Sequence, residues 1–200
     1  MKKSLIALVM SLLLFAAGAQ IARSDESPLP KPDILTEESV FTSQKLSAYD
    51  TLIIQDFATD GAEYSRVDEE EKVKIEAMKP LLTKTISESL AMQLKAKKLF
   101  NNVVINGEPT GNAVILEGAI TEFNAGSRAL KFFVGFGAGK AYLMVKGRLV
   151  DAQTGRELAT FVDRETGYRG AVTMESYEDL FPHQAKSLGE NISQFIEKLY

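Results

Sequence analysis

Residues 140 to 168 constrain this chain more than any other stretch. From Lys140 to Val150 the side chains alternate, with Ala141, Leu143, Val145, Gly147 and Leu149 on one side. Tyr142, Met144, Lys146, Arg148 and Val150 fall on the other. A period of two belongs to a strand with one buried face, and the first set is the face expected in the core. Asp151-Ala152-Gln153-Thr154-Gly155 then reads as a tight hairpin turn. Asp151 can cap it through its carboxylate, and Gly155 can take the left-handed conformation that other residues resist. Arg156 to Tyr168 returns as the partner strand. Asp163, Arg164 and Glu165 alternate in sign along it, beside Lys146 and Arg148 on the neighbour, so cross-strand charge pairing on a water-facing side is expected.

The other elements follow from periodicity and punctuation. Tyr49 to Phe57, with Leu52-Ile53-Ile54 at its centre, reads as a strand buried on both faces. Residues 68 to 98 read as helical, with Asp68-Glu69-Glu70-Glu71 suited to the N-terminal end and Lys95, Lys97 and Lys98 to the C-terminal end. Pro80 predicts either two helices or a kink there, because proline breaks helix interiors. Leu81, Leu82, Thr85, Ile86, Leu90 and Leu94 form the expected core stripe. Val103 to Ile105 is a short strand and Ala113 to Phe123 a long one, separated by a Gly107–Gly111 turn. A second helix begins near Ser176, where Phe181, Ala185, Leu188, Ile192, Phe195, Ile196 and Leu199 recur at helical spacing. Pro182 would delay its regular part. The economical solution is a two-layer α+β domain over residues 48–200, with a mixed sheet of about five strands and two main helices packed on one face.

Composition bears chiefly on address. Lys2 and Lys3, the apolar run from Leu5 to Ala16 and the small residues Ala17-Gly18-Ala19 have the layout of a secretory signal peptide, with cleavage expected between Ala19 and Gln20. Removing it takes away two lysines and no acids, so the formal charge moves from −4 to −6. An acidic exported domain has no basic face for nucleic acid. There is no cysteine, which excludes disulfides, thiolate metal sites and an acyl anchor on an N-terminal cysteine. A Gram-negative periplasm is the expected compartment, with outer-membrane association as its refinement. Residues 20 to 47 are polar and marked by Pro28, Pro30 and Pro32, and read as a flexible N-terminal arm.

Phe132-Phe133-Val134-Gly135-Phe136-Gly137-Ala138-Gly139-Lys140 is the unusual stretch. Glycines at alternate positions bare one side of the backbone, and another surface can then approach closely. The run is no phosphate loop: Val134 stands where the first glycine belongs, Ala141 follows the lysine, and a strand follows where a helix is required. Phe132, Phe133 and Phe136 left in water would be a costly apolar patch, so a partner or membrane contact is the functional reading. His183 is the sole histidine, and there is neither a Gly-x-Ser-x-Gly elbow nor a metal-ligand spacing around it. No cofactor is expected and no catalytic constellation emerges.

Ser127-Arg128-Ala129-Leu130, the glycine run through Ala141, and Leu149-Val150-Asp151-Ala152-Gln153-Thr154-Gly155 together resemble the signature of the bacterial domain-of-unknown-function 4410 family. That resemblance implies an exported, envelope-associated protein, often lipid-anchored, with no assigned reaction. Gly18-Ala19 stands where a lipoprotein would carry Gly-Cys, so a soluble periplasmic form is expected here. The functional expectation is a non-enzymatic interaction module contacting another envelope protein or itself through Arg128, Phe132, Phe133, Gly135, Phe136, Gly137, Gly139 and Lys140. A binder of small anions, neutralised by Lys140 and Arg128, is the alternative, and a hydrolase with a carboxylate site the third.

Overall fold

The computed structural model describes residues 27–109, 111–126, 140–166 and 176–200. The elements run β1 (Glu37–Val40), a 3-10 turn (Leu46–Ala48), β2 (Thr51–Ile54), β3 (Glu63–Ser65), α1 (Glu69–Lys97), β4 (Asn102–Ile105), β5 (Ala113–Asn124), β6 (Tyr142–Asp151), β7 (Glu157–Thr166) and α2 (Tyr177–Leu199). The strands form one mixed sheet in the order β1-β7-β6-β5-β2-β4, with β3 beside the far end of β5. β2 runs parallel to β4 and β5, whereas β5, β6, β7 and β1 are successively antiparallel. The sheet therefore has seven strands rather than five. The two unforeseen strands, Glu37-Glu38-Ser39-Val40 and Glu63-Tyr64-Ser65, are short and polar, and take their place from neighbours rather than from apolar alternation.

Segment 20–47, expected as an arm, contains β1. Leu35, Val40 and Leu46 are buried, and the Glu38 carboxylate accepts from the backbone N–H groups of Asp33, Ile34 and Leu35 at 2.7–2.8 Å. The local chain thus meets its own orphan donors with one side chain.

Helix α1 is one helix across Pro80, so of the two expected outcomes the division into two helices does not occur. Proline cannot donate to the carbonyl of Glu76, but both residues are exposed, so water can serve the freed oxygen. Ile75 before it and Leu82, Ile86, Leu90 and Leu94 after it are all buried, so both halves are anchored in the same core. Leu81 and Thr85 are off that stripe: Leu81 is 55% exposed, and Ser87 and Ser89 are buried in their stead. The N-terminus carries a full capping box, Asp68 accepting from Glu71 N–H at 2.8 Å while Glu71 accepts from Asp68 N–H at 3.0 Å. Helix α2 starts directly after Ser176 despite Pro182, whose freed partner, the Glu178 carbonyl, belongs to an exposed residue. Ser176 makes no side-chain cap; its hydroxyl donates to the carboxylates of Glu178 and Asp179 at 3.2 Å.

Both helices lie on one face and share one apolar core with it. α2 packs on β6 and β7, α1 on β4, and the helices on each other. Their crossing is tight because a Cβ on Gly189 would stand 2.6 Å from the Ile86 carbonyl oxygen. Ser89 seals the same crossing by donating to the Lys186 carbonyl at 3.0 Å.

Candidate functional site

Among the described residues, the face of the sheet away from the helices is covered at one end only. There Gly107, just past β4, sits on Ile53 and Val104, and Gln55 donates to the Gly107 carbonyl at 3.3 Å. That cover buries Ile53, the residue of β2 that points away from the helices. Over β5, β6, β7 and β1 a shallow groove of about 450 Å³ remains. Its floor is made of small or mid-sized side chains, Ala119, Thr160, Val162 and Ser39, and its rim of longer charged ones. Strand pairing sets these in rows: Lys146, Val162 and Glu37 lie side by side across β6, β7 and β1, and Arg148, Thr160 and Ser39 form the next row.

Arg148 Nε donates to one Glu117 oxygen at 2.7 Å and an Nη lies 2.7 Å from the same oxygen, with Glu157 4.0 Å from its other amino group. Arg148 thus makes cross-strand ion pairs on the water-facing side, but with Glu117 and Glu157 rather than with Asp163 or Glu165. These side chains are about half exposed, so the pairs contribute little stability and chiefly orient the rim. Nearer the β5–β6 connection, Tyr142 donates to Glu122 at 2.7 Å and Arg164 lies 5.3 Å from the Tyr142 ring centre. Burial alone would raise the Glu122 carboxyl, yet hydrogen bonds from Ser65, Tyr142 and Asn124 and the nearby Arg164 charge bring it below its ordinary value.

Asp163 and Glu165 are not on this water-facing side. They pair in register with Val145 and Leu143, so they point toward the helices. Asp163 is buried, accepting from the Thr36 hydroxyl at 3.1 Å, the Thr36 N–H at 3.3 Å and the Asn191 amide at 3.1 Å; the same amide reaches Glu165 at 3.3 Å. Burial, and then the charge of Asp163, raise the Glu165 carboxyl, with the Asn191 hydrogen bond acting against them. The alternation of sign along β7 concealed this, because only Arg164 of the three faces water.

The hairpin residues have a structural task. The Asp151 carboxylate accepts from the N–H groups of Gln153 and Thr154 at 2.9 Å through one oxygen and from the Tyr49 hydroxyl at 2.8 Å through the other. Thr154 accepts weakly from Arg156 N–H at 3.3 Å, and Gly155 has a φ of 68°. Burial pushes the Tyr49 hydroxyl up to about 12, with the Asp151 hydrogen bond adding to it. Burial would raise Asp151 too, but its hydrogen bonds hold it below the usual carboxylate value. The turn is thereby fastened to the chain before β2.

Among the expected contact residues, Lys140 is half-buried two residues before β6 and has a partner. Arg128, Phe132, Phe133, Gly135, Phe136, Gly137 and Gly139, and the cleavage residues Ala19 and Gln20, lie outside the described residues. His183 is exposed on α2. The described residues hold no group of three or more His, Cys, Asp or Glu placed to bind a metal ion, and no helix among them is long and apolar enough to cross a membrane.

Residues 52–171, a span of 120 in a chain of 200, match the family model described as a domain of unknown function, DUF4410. The chain belongs to this family. The match takes in the open-face strands β5, β6 and β7 and the Asp151–Gly155 turn, so the DUF4410 region contains most of the groove. No curated protein matches the sequence. Among solved structures, the PelC dodecamer from Paraburkholderia phytofirmans is similar at 13% identity and a TM-score of 0.44, over 80% of this chain and 97% of that one. Protein XCC0632 from Xanthomonas campestris is similar at 8% identity and a TM-score of 0.47, over 75% of this chain and 87% of that one. Likenesses at this level carry no functional argument.

Proposed function

We propose that this DUF4410 chain is an exported, non-enzymatic interaction module of the cell envelope, and that it binds another protein surface through the open face of β5, β6, β7 and β1. The observation that carries this reading is the groove itself. Antiparallel sheets can leave one face to water, where long polar side chains then cover it. Here the centre of the face is Ala119, Thr160, Val162 and Ser39, which leave a hollow that side chains from another surface can fill. The glycine and phenylalanine run from Phe132 to Lys140, together with Arg128, joins β5 to β6 in sequence and is proposed as a further contact of the same module.

Position-specific photo-crosslinking in producing cells tests it. A photoreactive residue replacing Thr160 should capture a discrete protein, while one replacing Met92, which is 56% exposed on α1, should not. Equal capture from both positions, or none from Thr160, overturns the reading. N-terminal sequencing of periplasmic protein should return Gln20.

A further inference from the structure

The partner's chemistry can be read from the charges on the face. Glu37 and Lys146 flank Val162 in one row, two strand spacings or about 10 Å apart. Neither makes an ion pair among the described residues, whereas Arg148 beside them is engaged with Glu117. From this, and resting on the reading above, we infer that the occupant of the open face is a second copy of this chain, packed sheet to sheet about a two-fold axis that runs along β7.

The register leads to that axis. A two-fold lying above β7 exchanges the β6 side of the face for the β1 side. Lys146 of each copy then stands over Glu37 of the other, so two ion pairs form from one self-complementary patch. The same operation brings Val162 onto Val162, Thr160 onto Thr160 and Arg148 over Ser39. Facing sheets pack about 10 Å apart, a gap that a lysine and a glutamate reaching toward each other span. An in-plane axis across the strands is worse, because it sets Lys146 over itself or over Arg148. Arg164 also lies on β7, but it leans over the Tyr142 ring and so away from the axis.

An axis along β7 lays β6, β7 and β1 over β1, β7 and β6 and leaves β5 without a strand opposite; three strands are about 14 Å wide and the ten residues of β7 about 34 Å long, which gives at most about 480 Å² per copy. Twice that is below the standard size and belongs with weak, transient contacts. The dimer is therefore reversible, and charge complementarity fixes its register more than it supplies affinity.

The test is sedimentation equilibrium on the purified full-length exported protein, with a charge reversal. Wild type should show a reversible monomer–dimer equilibrium. E37K and K146E should each weaken it by about tenfold or more, because each sets like charges face to face twice over. The double variant E37K/K146E should return to within about threefold of wild type, since the pairs are remade with the signs exchanged. Both substitutions are at exposed positions, and melting curves that match wild type in dilute solution would confirm that all three variants fold. A wild type that stays monomeric to about 1 mM, singles that dimerise normally, or a double variant as weak as the singles would each overturn the inference. If wild type is monomeric while the Thr160 crosslink still captures a different protein, the second copy is wrong and the interaction-module reading stands.

Discussion

On the helix side of the sheet Gly118 and Gly147 pair across β5 and β6, each beneath an aromatic ring; one residue along, on the open side, Ala119 and Lys146 pair with no part of the described fold above them. A Cβ on Gly118 would stand 2.3 Å from the Phe57 ring, and one on Gly147 would stand 2.4 Å from the Phe161 ring. The covered face is thus filled to the level of the backbone by the protein's own phenylalanines. On the open face the described residues leave the small side chains uncovered. Baring the main chain is a packing device where the fold itself supplies the cover, whereas on the open face the small side chains are left for the proposed partner to cover.

The sharpest way to break this contrast is Gly147→Val. The added side chain meets the Phe161 ring and the Glu117 carbonyl oxygen 2.9 Å away, and backbone does not yield cheaply. Overpacking of this kind costs about 3 kcal/mol, so thermal denaturation should show a large loss of stability. A melting curve like that of the wild type would mean that the ring swings aside freely and that the covered face is no tighter than the open one.

Tyr49→Phe comes next. It deletes the hydroxyl that donates to Asp151 and leaves a carboxylate oxygen short of a partner at the turn, at a cost of about 1–2 kcal/mol. The pH dependence gives a second reading. The Tyr49 hydroxyl lies at about 12 in the folded chain, above its ordinary 10, so its contribution is complete below pH 10 and is lost as pH rises toward 12. Denaturant titrations across that range should show wild type losing a stability increment that the phenylalanine variant does not lose.

Glu165→Gln should have a smaller effect of opposite sign. Burial and Asp163 raise the Glu165 carboxyl, so its contribution to stability is present below the ordinary carboxylate pKa and lost as pH rises through the higher folded value. At neutral pH the ionised group sits uncomfortably beside Asp163, and glutamine removes the charge while keeping an acceptor for Asn191. The variant should melt slightly higher than wild type at pH 7, with the gap closing below about pH 4.

The covered face was the more legible half in the sequence. Alternation from Ala141 to Leu149 and the helical spacing from Phe181 to Leu199 identified its residues, because burial imposes a period on apolar side chains. Asp151 and Gly155 were equally readable, since turn chemistry is local. β1 escaped notice because Glu38 turns inward to serve three backbone donors, which looks polar from sequence alone. Asp163 and Glu165 misled for a related reason: a buried carboxylate that gains an amide partner 28 residues away leaves no signature in its own strand. The groove was invisible, because Glu37 and Lys146 are 109 positions apart and only the pairing of both with Val162 sets them in one row.

The smallest effect is expected at the open face, and it separates folding from association. Lys146→Ala removes an exposed side chain without an ion pair among the described residues, so at high dilution its stability should lie within about 0.5 kcal/mol of wild type. Anything that binds only the folded chain stabilises it in proportion to the logarithm of its concentration, and a second copy is no exception. The melting temperatures of wild type and variant should therefore coincide in dilute solution and separate as protein concentration rises, with wild type moving up. A gap already present in dilute solution would make Lys146 part of the fold, and curves that coincide at every concentration would remove it from any self-contact.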